Sequence, residues 1–267
     1  MGALHAGHGE LIERACRDCD VVVVSVFVNP TQFAAGEDLE RYPRDLAGDV
    51  RFAEAAGAQM VFAPSVEELY GTTEEPLSQT TLEVGELGRI WEGALRPTHF
   101  AGVALVVTKL LSLVRPDRAY FGEKDYQQLC VINQLVRDLD IAAEIVAVPT
   151  VREADGLALS SRNRYLSEVE RAHATVIARA LAATQQASEC GERDARTLEA
   201  IAERVILVEP AIKLGYCALV DPATLQPVAT LDRPARLLIA VTLGGVHLID
   251  NAEIGLCARD SRAIDGS

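Results

Sequence analysis

Val21-Val22-Val23-Val24-Ser25-Val26-Phe27-Val28-Asn29-Pro30 is the stretch that decides the fold class. From Val21 to Val28 it is rich in β-branched residues and apolar throughout except at Ser25. A run without polar alternation reads as a strand covered on both faces, which is the habit of parallel sheets. Asn29-Pro30 ends it and opens a polar loop that runs to about Arg44. Outward from this strand, Leu11 to Cys19 reads as a short helix. Ala47 to Ala56 is helical and stops at Gly57, and Met60 to Ala63 is a short strand ended by Pro64. Residues 71–80 are turn-rich loop. Phe100 to Val114 is a long apolar helix closed by Arg115-Pro116. Ala119 to Phe121 is a strand broken by Gly122, Tyr126 to Leu139 a helix, and Ala143 to Val148 a strand. Strands alternating with helices at these intervals predict an α/β fold with a parallel sheet. Ligands of such sheets bind beyond the carboxyl ends of the strands, the edge left by the loops after Val28, Phe121 and Val148.

The pattern changes near residue 150. Residues 168–188 and 194–207 read as alanine-rich helices separated at Gly191. Gly215 to Val220, Arg236 to Leu243 and Val246 to Ile249 read as strands, the last two joined as a hairpin by Gly244-Gly245. Helices followed by an antiparallel sheet predict a smaller C-terminal α+β domain. The expected division is 1–150 and 151–267.

The composition narrows the function classes. A chain of 267 residues suits one large or two smaller domains. No apolar run is long enough to span a membrane, and no secretory pattern of charged then apolar residues opens the chain. A net charge of −14 argues against broad nucleic-acid or anionic-membrane contact, while leaving room for a local cationic pocket. Six scattered cysteines include one C-x-x-C, Cys16 and Cys19, with no second pair of zinc ligands, so they read as thiols of a reducing cytoplasm. Only three lysines occur, and Lys124 stands in a motif that carries chemistry.

Four stretches and a serine-rich loop hold the candidate site. Met1-Gly2-Ala3-Leu4-His5-Ala6-Gly7-His8 puts two imidazoles on one face of a starting helix, whose free N–H groups and dipole suit phosphate. In Asn29-Pro30-Thr31-Gln32-Phe33, Gln32 offers donors and an acceptor for a small hydroxy acid. Glu92 to Gly102 gathers Glu92, Arg96 and His99, with Thr98 placed to cap the following helix. Phe121-Gly122-Glu123-Lys124-Asp125-Tyr126-Gln127-Gln128 is a strand–turn–helix. There Lys124 can reach a phosphate, Asp125 can accept from ribose hydroxyls or cap the helix, and Gln128 points the same way as Lys124. Further on, Ser160, Ser161 and Arg162 offer hydroxyls and a guanidinium fork to β- and γ-phosphates.

In order along the chain, His-x-Gly-His, Asn-Pro-x-Gln-Phe, Tyr-Pro-Arg, Glu-Gly-x-x-Arg-Pro-x-His-Phe-x-Gly-Val, Phe-Gly-Glu-Lys-Asp-x-Gln-Gln and Asp-Gly-Leu-Ala-x-Ser-Ser-Arg-Asn closely resemble the pantoate–β-alanine ligase family. The resemblance is dense from Met1 to about Leu166 and looser beyond. It implies a Rossmann-like nucleotidyltransferase domain, a smaller C-terminal lid domain, a homodimer, and ATP with Mg2+. It also implies a carboxylate attack on the α-phosphorus to give pantoyl adenylate, then attack of the β-alanine amine on the acyl carbon. Carried over by position, Met1, Gly2, Ala3, Leu4, His5, Ala6, Gly7 and His8 form the ATP loop, with His8 as proton donor. Gly122, Glu123, Lys124 and Asp125 contact ATP, with Lys124 on phosphate and Asp125 on ribose. Val151 lies at adenine, Leu159, Ser160, Ser161 and Arg162 close over the phosphates, and Gln32 and Gln128 hold pantoate. His8, His5, Lys124 and Arg162 are the expected catalytic set. The partners are small molecules: pantoate, β-alanine and ATP, with no nucleic acid and no membrane.

The chain departs from the family pattern at Gly9, at Trp91, and at Gly48-Asp49, which replaces an acidic pair, so no protein metal ligand is assigned. A phosphate-binding helix start ordinarily follows a buried strand. None precedes Met1 in this sequence, so the expectation is either a sheet without its first strand or an opening segment held another way. Two other readings follow: a truncated, inactive homologue, or a different His-x-Gly-His nucleotidyltransferase.

Overall fold

The structure is a computed structural model that describes residues 2–33, 37–72 and 79–256. The chain divides into two units, Met1–Val151 and Arg152–Ser267.

The first unit is α/β. Helix α1 (Ala6–Asp18) leads to strand β1 (Val23–Ser25), a single 3-10 turn (Pro30–Gln32) and α2 (Leu46–Ala55). Strand β2 (Met60–Phe62), α3 (Val66–Tyr70), α4 (Glu92–Leu95) and α5 (His99–Val114) follow, then β3 (Arg118–Gly122), α6 (Tyr126–Asp138) and β4 (Glu144–Val148). All pairing here is parallel, as expected of the strand–helix alternation. Among the described residues the strands form two separate pairs, β1 with β2 and β3 with β4. The run Val21–Val28 is paired over only three residues, because Met60–Phe62 is the one ladder it has among the described residues. Burial of α5 holds the unit together: Val103, Val106, Val107 and Leu111 pack with Ile132 of α6, Phe27 and Leu69. A second cluster seats α1 on the β1 edge through Ile12, Ala15, Val22 and Ala53.

Thr98 stands at the α5 N-cap but makes no side-chain cap bond, which corrects the expected capping role. That first turn is closed instead by His99 N donating to Arg96 O at 3.0 Å. The helix ends where Arg115 turns left-handed at φ 49°, one residue before a proline that cannot continue it.

The second unit is α+β. Helices α7 (Glu168–Ala174), α8 (Val176–Glu189) and α9 (Ala195–Ile206) precede β5 (Ile212–Val220), β6 (Ala235–Leu243) and β7 (Val246–Ile254). The helix expected over 168–188 is two, broken at Thr175, whose Oγ1 donates to Ala172 O at 2.7 Å and competes with the helical ladder. Strand order is β5-β6-β7, all antiparallel. Leu243 pairs Val246 across Gly244-Gly245, both at positive φ, the two-residue hairpin expected there. Alternate β6 residues Leu237, Ile239, Val241 and Leu243 pack with Ile177, Leu181, Leu198 and Ile206 of α8 and α9.

Candidate active site

The two histidines of the opening motif build a reciprocal cap on α1. His5 is the N-cap in extended conformation, and its Nδ1 accepts from Gly7 N at 3.1 Å. His8 Nδ1 accepts from His5 N at 3.2 Å. An imidazole nitrogen that accepts an amide proton is unprotonated, so in each neutral ring the proton sits on Nε2. Burial pushes the His8 pKa down to about 3, and His5 beside it adds to the effect, with ring centroids 4.1 Å apart. Near neutral pH His8 is therefore an uncharged N–H donor. The charge of Lys124 pushes the His8 pKa the same way.

A buried carboxylate holds the segment leading into this cap. Asp49 of α2, 5% exposed, accepts from Ala3 N through Oδ2 at 3.0 Å and from Leu4 N through Oδ1 at 2.7 Å. Ala3 sits in the left-handed region at φ 54°. A non-glycine residue there is strained, so the latch holds a conformation the chain would not keep unaided. Nothing in the sequence marks Asp49 as a loop anchor, because its partners lie more than forty residues away. Met1, expected in the ATP loop, lies outside the described residues.

After β1, Asn29 organises the loop that carries Gln32. Asn29 Oδ1 accepts from Thr31 Oγ1 and Tyr70 OH, both at 2.9 Å. Its Nδ2 donates to Gly102 O and to Gln32 Oε1, both at 3.1 Å. Because a main-chain carbonyl can only accept, Gly102 O fixes which end of the Asn29 amide is nitrogen, and Asn29 in turn fixes the Gln32 amide. Gly102 has to be glycine: a Cβ there would stand 2.2 Å from Thr31 O. Asn29 is 1% exposed and Gln32 8%. In the sequence Asn29 reads only as a strand end; the signal for its larger role is a polar side chain closing a buried strand.

Arg96 and His99 converge on the same loop, with Glu92 beside Arg96. His99 Nδ1 lies 2.9 Å from Gln32 O, and Arg96 Nη2 donates to that oxygen at 3.2 Å. Burial, then the Arg96 charge, lowers the His99 pKa, so the ring is neutral and Nδ1–H is the donor. Arg96 also forks onto Glu37 at 2.6 and 2.8 Å and reaches Glu92 at 3.4 Å.

At the β3–α6 turn, Lys124 Nζ lies 3.5 Å from Asp125 Oδ1. Asp125 occupies the α6 N-cap position without a side-chain cap bond, which removes capping as its role. The adjacent glutamines divide their tasks. Gln127 is buried and tied to Leu87 O, Ile90 O and Glu92 N. Gln128, the one expected at substrate, is half-buried on the first turn of α6. His5, His8, Gln32, Lys124, Asp125 and Gln128 all belong to the first unit, as does Val151 at its last position.

In the second unit, Ser160 Oγ accepts from Arg162 N at 3.3 Å and caps the 3-10 turn Ser161–Tyr165. The loop that leads to it is bolted to β7: Arg152 forks onto Asp250 at 2.6 and 2.9 Å and donates to Gly156 O at 3.0 Å.

Among the described residues no three His, Cys, Asp or Glu side chains are grouped to hold a metal ion. No described helix is long and apolar enough to cross a membrane, and Cys16, Cys19, Cys130, Cys190 and Cys217 form no disulfide.

A family model described as pantoate-beta-alanine ligase matches residues 1–253. A pantothenate synthetase of Rubrobacter xylanophilus is 55% identical over 258 residues, covering 95% of this chain and 89% of the relative. A crystal structure of pantothenate synthetase from Thermus thermophilus superposes with a TM-score of 0.91 at 48% identity, covering 96% of this chain and 91% of that one. A pantoate-beta-alanine ligase from Francisella tularensis, complexed with beta-gamma ATP and beta-alanine, has a TM-score of 0.75 at 35% identity, with coverages of 94% and 86%.

Proposed function

This chain belongs to the pantoate–β-alanine ligase family, and from that premise we propose that it condenses (R)-pantoate with β-alanine, using ATP, to give pantothenate, AMP and pyrophosphate. The observation that carries the chemistry is the histidine cap, with two neutral imidazoles whose Nε2–H groups are fixed by their own helix N-terminus.

In the first step a pantoate carboxylate oxygen attacks the α-phosphorus and the bond to the β-phosphate oxygen breaks. Negative charge builds on the phosphoryl oxygens. Fixed N–H donors and a nearby ammonium meet that charge without reorganising, which is where most of the acceleration of such a displacement arises. His5, His8 and Lys124 fill these roles. His8 acts as a hydrogen-bond donor, and its depressed pKa argues against a resident imidazolium. Gly2 to His8 and Gly122 to Asp125 line the nucleotide, with Asp125 on ribose and Val151 at adenine. Gln32 and Gln128 bind pantoate. Leu159, Ser160, Ser161 and Arg162 serve the β- and γ-phosphates, Arg162 as a cation for the departing pyrophosphate.

In the second step the β-alanine amine attacks the acyl carbon, AMP leaves with the former carboxylate oxygen, and the amine gives up a proton. No protein nucleophile takes part. Both Asp49 oxygens accept main-chain amides, so this carboxylate holds the loop. Mg2+ enters as the counter-ion of the ATP phosphates, part of the nucleotide substrate. The resemblance further supports a homodimer, and the cysteine usage supports a cytoplasmic location.

Initial-rate measurement of pyrophosphate release tests the reading. Release requires pantoate and ATP together, and pantothenate forms only when β-alanine is added. Pyrophosphate release indifferent to pantoate overturns it.

A further inference from the structure

We propose that Arg96 and His99 are positioning residues for Gln32, gripping its main-chain carbonyl so that its side chain meets the substrate acid in one orientation. The inference rests on the reading above that Gln32 binds pantoate.

Three holds converge on this one residue. From α5, the His99 Nδ1–H donates to Gln32 O at 2.9 Å. From the end of α4, Arg96 Nη2 donates to the same oxygen at 3.2 Å. From the loop itself, Asn29 Nδ2 holds the side-chain oxygen at 3.1 Å. A carbonyl has two lone pairs, and two donors from different parts of the chain use both. The peptide plane of Gln32 is thereby fixed, and the carboxamide is fixed from its far end.

The grip is made of rigid parts. His99 is 9% exposed, and its ring lies 4.9 Å from that of Phe100 in an edge contact. The Arg96 side chain is 12% exposed and forked by Glu37, with Glu92 alongside, so its charge is balanced and its direction set. Gly102, one turn beyond His99 on α5, allows the Thr31 backbone to touch the helix. Without that approach His99 could not reach the loop. Every one of these bonds lies within the first unit. None of these hydrogen bonds is made to α1, Asp49 or the α6 turn, from which the proposed nucleotide side of the site hangs.

That separation gives the test. Initial rates of pyrophosphate release are measured against pantoate at saturating ATP, and against ATP at saturating pantoate. His99→Leu removes the donor and keeps an apolar body. His99→Asn keeps a donor near the position of Nδ1. Arg96→Lys keeps the cation beside Glu37 and Glu92 but loses the planar fork, and guards against a misfolded leucine variant. The expected result is a KM for pantoate raised about tenfold in His99→Leu, a smaller rise in the same direction in Arg96→Lys, and an unmoved KM for ATP. His99→Asn recovers most of the loss. A merely structural role would move both KM values together, and would not distinguish asparagine from leucine. Unchanged pantoate KM in both His99→Leu and Arg96→Lys, or equal shifts for both substrates, overturns the inference while leaving the proposed function standing. A wild-type chain without pantoate-dependent pyrophosphate release removes the proposed function, and this inference with it.

Discussion

Asp49→Ala cuts the latch between α2 and the loop proposed to bind the nucleotide. The wild-type carboxylate accepts two consecutive main-chain amides, Ala3 N at 3.0 Å and Leu4 N at 2.7 Å, in a site only 5% exposed. Hydrogen bonds to a charged group are worth about 1.5–3 kcal/mol each. Against this stands relief of the left-handed Ala3, for which about 1–3 kcal/mol of strain is typical. The ordered loop should therefore lose about 2–3 kcal/mol relative to its released forms. If the ordered loop is the form that binds nucleotide, its apparent affinity falls by the lost population, roughly 30- to 150-fold. Asp49→Asn should fall between, since its amide keeps one acceptor oxygen and turns a donor toward the other N–H. The assay is calorimetric titration with a non-hydrolysable ATP analogue, with a separate pantoate titration on the same variants. An Asp49→Ala chain that binds the analogue within about threefold of wild type would refute the latch.

Two further outcomes follow from buried charge. The depressed His8 pKa, about 3 against an ordinary 6.5, means the unfolded chain binds a proton that the folded chain refuses between those values. Stability from His8 is complete above pH 6.5 and is lost as pH falls toward 3, at up to about 1.4 kcal/mol per pH unit, and His99 acts with the same sign. Urea unfolding at pH 7 and pH 5 should show the loss, and His8→Asn should make it shallower; a slope unchanged in His8→Asn counts against the buried neutral ring. In the second unit, Arg152→Met strands the Asp250 carboxylate, whose side chain is 2% exposed. Loss of one partner of a buried pair costs about 3–5 kcal/mol, discounted here toward the lower figure because Arg152 is partly solvated. Chemical denaturation followed by circular dichroism measures it, and a loss below about 1 kcal/mol would show the pair to be dispensable.

Where local signals punctuate the chain, the sequence can be read almost to the residue. Gly122 and the apolar periodicity after it locate α6, and Arg115-Pro116 locates the end of α5. The strand expected to end at Ile249 runs on to Ile254, because Asp250 and Asn251 look like loop residues until Arg152 is seen to neutralise the carboxylate. Thr175 splits a helix through a side-chain bond that periodicity does not register. Val21–Val28 has the composition of a long strand, but ladder length is set by the partner, and Met60–Phe62 is short. The chemistry divides the same way. Histidine, lysine and glutamine stand out because their functional groups announce chemistry at a fixed spacing. Asn29 and Asp49 do not, because their work is to hold other residues far along the chain.

The central claim is that pantoate is activated as its adenylate, and one measurement reaches it directly. Pantoate labelled with 18O in both carboxylate oxygens is turned over with ATP and β-alanine, and the products are weighed by mass spectrometry. Attack on the α-phosphorus followed by amide formation must leave one labelled oxygen on AMP and one in the amide carbonyl of pantothenate. Unlabelled AMP, or ADP with the label in inorganic phosphate, would contradict the account.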